Sequence, residues 1–255
     1  PHIRLARLHR DSGWTGSARA FGEGAAILVG DLLFSAAEHA IGEQIAALAP
    51  ERGLALLSRY TRMHAEVALS QYLDVRAEHL PLDLEDSPGV EEAMEVVERK
   101  SARYAIVHPT LLGAIAAGAP EPLLGVLDEV LTPWGIAFQL RDDDLGVFGD
   151  PATTGKPAGD DLLEGKRTVL LALAWTRADL DERRALARVL GEPGAAPDEV
   201  AEAAAIIARR GRPAHETLID SLIAEGAAAL EGAALPESAR ADLLELSEIL
   251  TARAR

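Results

Sequence analysis

From Ser17 to about Leu48 apolar residues recur at helical steps, with Phe21, Ala25, Leu28 and Leu32 on one stripe, and Pro50 closes the run. The next segment, Arg52 to His79, carries Leu56, Tyr60, Met63 and Val67 at steps of four, three and four. The same steps lead on to Gln71 and Asp74, so a core stripe turns polar without leaving its face. Such a helix end either lines a cavity or surfaces there. A third helix is predicted over Val90 to Val107, with Ala93, Val97, Lys100, Tyr104 and Val107 on one stripe, and Pro109 should break or kink it. Leu111 to Ala119 reads as a tightly packed helix, and Pro122 to Phe148 as a long one with Leu123, Leu127, Val130 and Trp134 in its core and a kink at Pro133. Val169 to Trp175 begins another. Residues 178–255 read as further Ala/Leu helices divided by Gly191 to Pro197, Gly211 to Pro213 and Pro236, whereas residues 1–16 show no clear pattern. No strand alternation or internal repeat emerges. The prediction is all-α: one antiparallel helix bundle, a single domain over residues 1–255.

Composition narrows this. In 255 residues 48% are hydrophobic but only 4% aromatic, so Ala, Leu and Val must build the core. A net charge of −16 argues against a nucleic-acid partner, which demands a basic footprint. The lack of cysteine removes disulfides, thiolate nucleophiles and Cys-based zinc sites, and fits a cytoplasmic protein. No uninterrupted apolar run has membrane-spanning length, since the longest candidate, Gly24 to Ile41, carries Asp31, Glu38 and His39. His2 and His9 read as surface residues, and the seven histidines show no paired metal spacing.

The chemistry concentrates between Gly135 and Thr168. Helical spacing puts Gly135, Gln139, Asp142, Asp143 and Gly146 on one face, and a loop with Gly155, Gly159 and Gly165 then delivers Lys156 and Lys166. Paired carboxylates suit a hard divalent cation that keeps several waters, and lysines suit an anion bridged by it. The loop is no P-loop: five residues part Gly149 from Gly155, and Pro157 stands where Ser or Thr should bind magnesium. Lys100, inside an apolar stripe, either snorkels to solvent or turns its ammonium inward to a phosphate oxygen.

The order of these residues resembles the second aspartate-rich region of the trans-type polyprenyl diphosphate synthases, Phe-Gln-x-x-Asp-Asp-x-x-Asp followed by Gly-Lys-Pro, Asp-Leu and Gly-Lys-x-Thr. Phe138, Gln139, Asp142, Asp143, Gly155, Lys156, Pro157, Asp161, Leu162, Gly165, Lys166 and Thr168 hold those places. Gly146 stands where the third aspartate would be, and the extra Asp144 points elsewhere on the helix. Lys100-Ser101-Ala102 resembles the family's Lys-Thr-Ala, and Gln71 with Asp74 its Gln-x-x-Asp. The resemblance implies an isoprenoid-synthase helix bundle and a Mg2+-dependent prenyltransferase that joins an allylic diphosphate to isopentenyl diphosphate, giving a short-chain polyprenyl diphosphate. It implies Asp142, Asp143 and, more remotely, Asp161 as metal residues. It implies Lys100, Ser101, Gln71, Gln139, Lys156 and Lys166 as substrate residues, with Lys100, Gln139, Lys156 and Lys166 also catalytic. A homodimer is implied too.

Such an enzyme needs a first aspartate-rich motif facing the second. Asp83-Leu-Glu-Asp86 lacks the adjacent pair, and the chain opens at Pro1 and His2, which resemble residues just after that motif. The N-terminal helices are therefore expected to lie outside this sequence, and this piece alone is expected to be inactive. A regulatory subunit of a heteromeric synthase is one alternative. A terpene cyclase is another, although the chain has no asparagine for its Asn/Asp-x-x-Ser/Thr-x-x-x-Glu metal triad.

Overall fold

The computed structural model describes residues 1–84, 89–150, 155 and 159–251. Among them there is no strand, and the all-α expectation holds. The helices are α1 (His2–Asp11), α2 (Ala18–Ala47), α3 (Pro50–His79), α4 (Val90–Val96), a π-helix (Val97–Val107), α5 (His108–Ala117), α6 (Glu121–Phe148), α7 (Asp160–Glu164), α8 (Val169–Arg177), α9 (Leu180–Val189), α10 (Pro197–Arg210), α11 (Arg212–Gly232) and α12 (Glu237–Thr251). They form two compact units that part between Leu57 and Ser58, inside α3.

In the first unit α1 lies against α2 at Gly22, where a Cβ would stand 2.5 Å from the His2 carbonyl oxygen and 2.9 Å from the Ala6 Cβ. Periodicity missed α1 because only Ala6 and His9 are buried on it. His9 is a correction: it is buried, its Nε2 lies 3.1 Å from the Thr15 carbonyl oxygen, and its ring meets Trp14 and Phe21. Ser17 caps α2 by accepting from the Ala20 N–H. The α2 stripe is helical as predicted but not covered, Leu28 and Leu32 being 68% and 70% exposed. By length and composition both α2 and α6 could cross a membrane, against the sequence expectation. For α6 over half of the apolar window is buried inside the protein, which accounts for its composition.

The second unit is built around α6, which packs on the π-helix, α11 and α8. The helix runs unbroken through Pro133, and the carbonyl that this proline leaves without a donor belongs to the exposed Glu129. Trp134, 1% exposed, fits over Gly226 and donates its Nε1–H to the Ile223 carbonyl at 3.2 Å. One core cluster joins Ile136, Ala137 and Leu140 of α6 to Val97, Ala102 and Ile219. Another joins Val147 to Leu162, Leu170, Trp175, Leu186 and Ile207.

The predicted helix over Val90–Val107 exists, but at Val97 its winding changes from α to π. The wider i→i+5 turn advances less per residue, so positions after Val97 lag behind an α stripe. The buried positions are accordingly Val97, Ala102, Ile106 and Val107, while Tyr104, expected inside, is 42% exposed. Arg103 turns inward instead. It forks on to Asp128 at 3.1 and 3.3 Å and reaches Glu66, which also takes hydrogen bonds from Arg62 at 2.7 Å and His108 at 2.8 Å.

Partial burial raises the Glu66 carboxyl, but the hydrogen bonds from His108 and Arg62 and the charge of Arg103 outweigh it and hold the group at about 2. A depressed carboxyl contributes stability above its unfolded value near 4.5 and loses it as the pH falls through about 2. Acid titration followed by circular dichroism should therefore show wild type losing about 1–2 kcal/mol more than Glu66→Gln across that window, after allowance for solvent screening.

Candidate functional site

On α6 the Gln139 Nε2–H donates to Asp143 Oδ1 at 2.9 Å, four residues on along the helix. Asp143 is buried and Asp142 exposed. Burial pushes the Asp143 carboxyl up to about 7; the Gln139 bond opposes this, and the charges of Asp161 and Asp142 add to it. Asp144 turns away, as expected, and takes 2.8 Å from Arg212, whose guanidinium lies 4.4 Å from the Phe148 ring centroid. A Cβ on Gly146 would fall 1.9 Å from Asp161 Oδ2. The Asp161 carboxylate thus occupies the space that a side chain at position 146 would need.

Asp161 comes from α7, which ends in a Schellman motif. Gly165 is left-handed at φ 82°, the Gly165 N–H donates to Leu162 O and the Lys166 N–H to Asp161 O, each at 3.0 Å. That turn folds Lys166 back over its own helix, where its ammonium pairs with Asp161 and with Glu164 at 3.1 Å. Partial burial lowers the Lys166 pKa, but Asp161 and Glu164 more than reverse this and raise it. A Cβ at 165 would also stand 3.1 Å from the Gly191 Cα. Gly165→Ala should therefore cost about 1–2 kcal/mol from backbone strain alone, read as a melting temperature lower by several degrees. Thr168 caps α8, accepting from the Leu171 N–H at 3.2 Å.

Lys100 does not snorkel into solvent: it pairs with Asp74 of α3. Gln71 is exposed on α3, one position past the buried face. The buried face runs from Met63 and Val67 through Ser70, at 0% exposure, to the half-buried Asp74, a step of three where four was assumed. Ser101 is half-buried. Next to it Ala102 lies against Gly135, where a Cβ would meet the Ala102 Cβ at 2.8 Å, so the π-helix crosses α6 one turn before Gln139. Lys156 lies outside the described residues, as does Asp86.

Sequence reading missed two residues. Glu78 is raised by burial and by Asp74, while Lys100 and Lys166 both pull it down, so the two lysines share its surroundings. Its spacing of four from Asp74 was the available signal. Arg167 donates to the carbonyls of Ala77 and Leu80 at 3.2 and 3.1 Å, closing the end of α3, for which no sequence signal exists. A cavity of about 440 Å³ opens here, lined by Asp74, Ala77, Leu80, Ala93, Val96 and Arg167.

Among the described residues no three carboxylates or imidazoles gather closely enough to hold a metal unaided. Magnesium needs fewer, because it is commonly held by one or two carboxylates together with substrate phosphates and waters. An acid raised first by burial and then by the charges of Asp161 and Asp142 is a group that a cation would relieve. The acids therefore fit a cation that arrives with a diphosphate.

The chain matches the family model for polyprenyl synthetase over residues 13–207. It belongs to that family. Among its relatives, the short chain isoprenyl diphosphate synthase of Methanocaldococcus jannaschii is 30% identical over 188 residues, 73% of this chain and 54% of that protein. The geranylfarnesyl diphosphate synthase of Aeropyrum pernix is 33% identical over 192 residues, 75% of this chain and 57% of the relative. The chain thus spans little more than half the length of these curated relatives. Among solved structures, the geranylgeranyl pyrophosphate synthase of Corynebacterium glutamicum, complexed with isoprenyl diphosphate and magnesium, superposes with a TM-score of 0.89 at 37% identity. That match covers 99% of this chain and 70% of the other.

Proposed function

We propose that the protein is a magnesium-dependent trans-prenyltransferase that condenses an allylic diphosphate with isopentenyl diphosphate to a short-chain polyprenyl diphosphate. The observation that carries the reading is the meeting of Asp143, Asp161 and Lys166 around Gly146, within reach of the Lys100–Asp74 pair. Asp142, Asp143 and Asp161 would hold the magnesium, which when bound neutralises the departing diphosphate oxygens. Lys100 and Lys166, today paired with carboxylates, would exchange them for phosphate oxygens and stabilise the charge left on the leaving group. Lys156 would do the same from the loop. Gln139 orients Asp143 and offers its amide to the reacting end, and Ser101 lies beside Lys100 to take a diphosphate oxygen. Gln71, exposed, would contribute only where the substrate overhangs α3.

Incubating the full-length protein with isopentenyl diphosphate, magnesium and each allylic starter, then sizing the products, tests the reading; no elongation with any starter would end it. The apolar face that α2 exposes, Leu28, Leu32, Leu33 and Phe34 included, supports a homodimer, to be checked by sedimentation. A chain without cysteine suits the reducing cytoplasm.

A further inference from the structure

A π-helix of eleven residues is rare, since π geometry usually appears as a single turn, and it needs a cause. The His108 N–H donates to the Arg103 carbonyl, five residues back, closing the last π turn. The side chains of the same two residues converge on one oxygen: Arg103 Nε lies 3.4 Å and His108 Nε2 2.8 Å from Glu66 Oε2. A carboxylate only accepts, so that His108 nitrogen carries the proton. In an α-helix residues five apart stand about 140° apart around the axis, and one carboxylate could not hold both. In a π turn they share a face.

Glu66 is itself steadied by Arg62, one turn earlier on α3, and Arg103 by its fork on Asp128 of α6. The segment so held begins three residues before Lys100, and Arg103 follows Lys100 by three more. Relaxation to α winding would turn every residue after Val97 further around the axis. It would swing Tyr104 inward, take Ala102 off Gly135, and move Lys100 from its place opposite Asp74.

We propose that Glu66 is a positioning residue: by gripping Arg103 and His108 together it selects the π register, and the register aims Lys100 at the diphosphate site. The proposal rests on the reading of Lys100 as a diphosphate ligand. It is tested with the full-length protein by a double-mutant cycle. Binding of an unreactive dimethylallyl thiolodiphosphate with magnesium is measured by calorimetry in wild type, Glu66→Met, Lys100→Ala and the double variant. Amide exchange of residues 97–108 is followed without ligand. Glu66→Met should speed exchange in that segment and raise the Kd about tenfold, but less than twofold where Lys100 is already alanine. A tenfold loss in both backgrounds, or unchanged exchange, overturns the proposal. If Lys100→Ala binds as wild type does, the lysine's assignment fails, while exchange still decides whether Glu66 sets the register. Glu66→Met with Arg103→Met removes both charges of the pair and serves where Glu66→Met alone does not fold.

Discussion

Asp143→Asn is expected to lower turnover on the order of a thousandfold and, without metal, to leave the protein as stable as wild type or more so. The two effects have one origin. The Asp143 carboxyl is buried, and its rise to about 7 records how badly burial and the neighbouring Asp161 and Asp142 charges suit an anion there. Asparagine keeps the shape and can still pair with the Gln139 amide, while the desolvated charge disappears. Relief of this kind at a functional site is the usual trade between stability and activity. Thermal melts of the metal-free protein and steady-state assays of the full-length protein check the two halves. A melting temperature several degrees below wild type would mean that Asp143 is a structural acid, and a turnover near wild type would remove it from the site.

Much of this was legible beforehand, and what escaped did so for physical reasons. Helices α2, α3 and α6 announce themselves by apolar spacing and by Ser17, Pro50 and Pro122 at their ends. The acid pair on α6 follows from spacing alone. The winding of Val97–Val107 does not, because a periodicity argument assumes 3.6 residues per turn, and only tertiary contacts from Glu66 and Asp128 favour another number. The burial of Ser70 was hidden for a smaller reason: from Val67 a step of three and a step of four both fit a helix, and only packing tells Ser70 from Gln71. The link between Gly146 and Asp161 was beyond reach, since it joins two elements through a space that no spacing rule describes.

Lys166→Met should cost both activity and stability, and a second substitution should separate them. The ammonium pairs with Asp161, whose side chain is 8% exposed, and with the exposed Glu164. Its loss leaves a buried carboxylate uncompensated, a change that typically costs about 3–5 kcal/mol. Adding Asp161→Asn removes the stranded charge, so most of that stability should return in a denaturant titration. Turnover should not return. Lys166→Met alone is expected to lose at least about a hundredfold, because an ammonium that stabilises charge on a leaving group acts only as the bond breaks, and the double variant should be no faster. Were the double variant to regain activity along with stability, Lys166 would be a counterion for Asp161 and nothing more, Asp161 would be no metal residue, and the diphosphate would have to be held by Lys100 and Lys156.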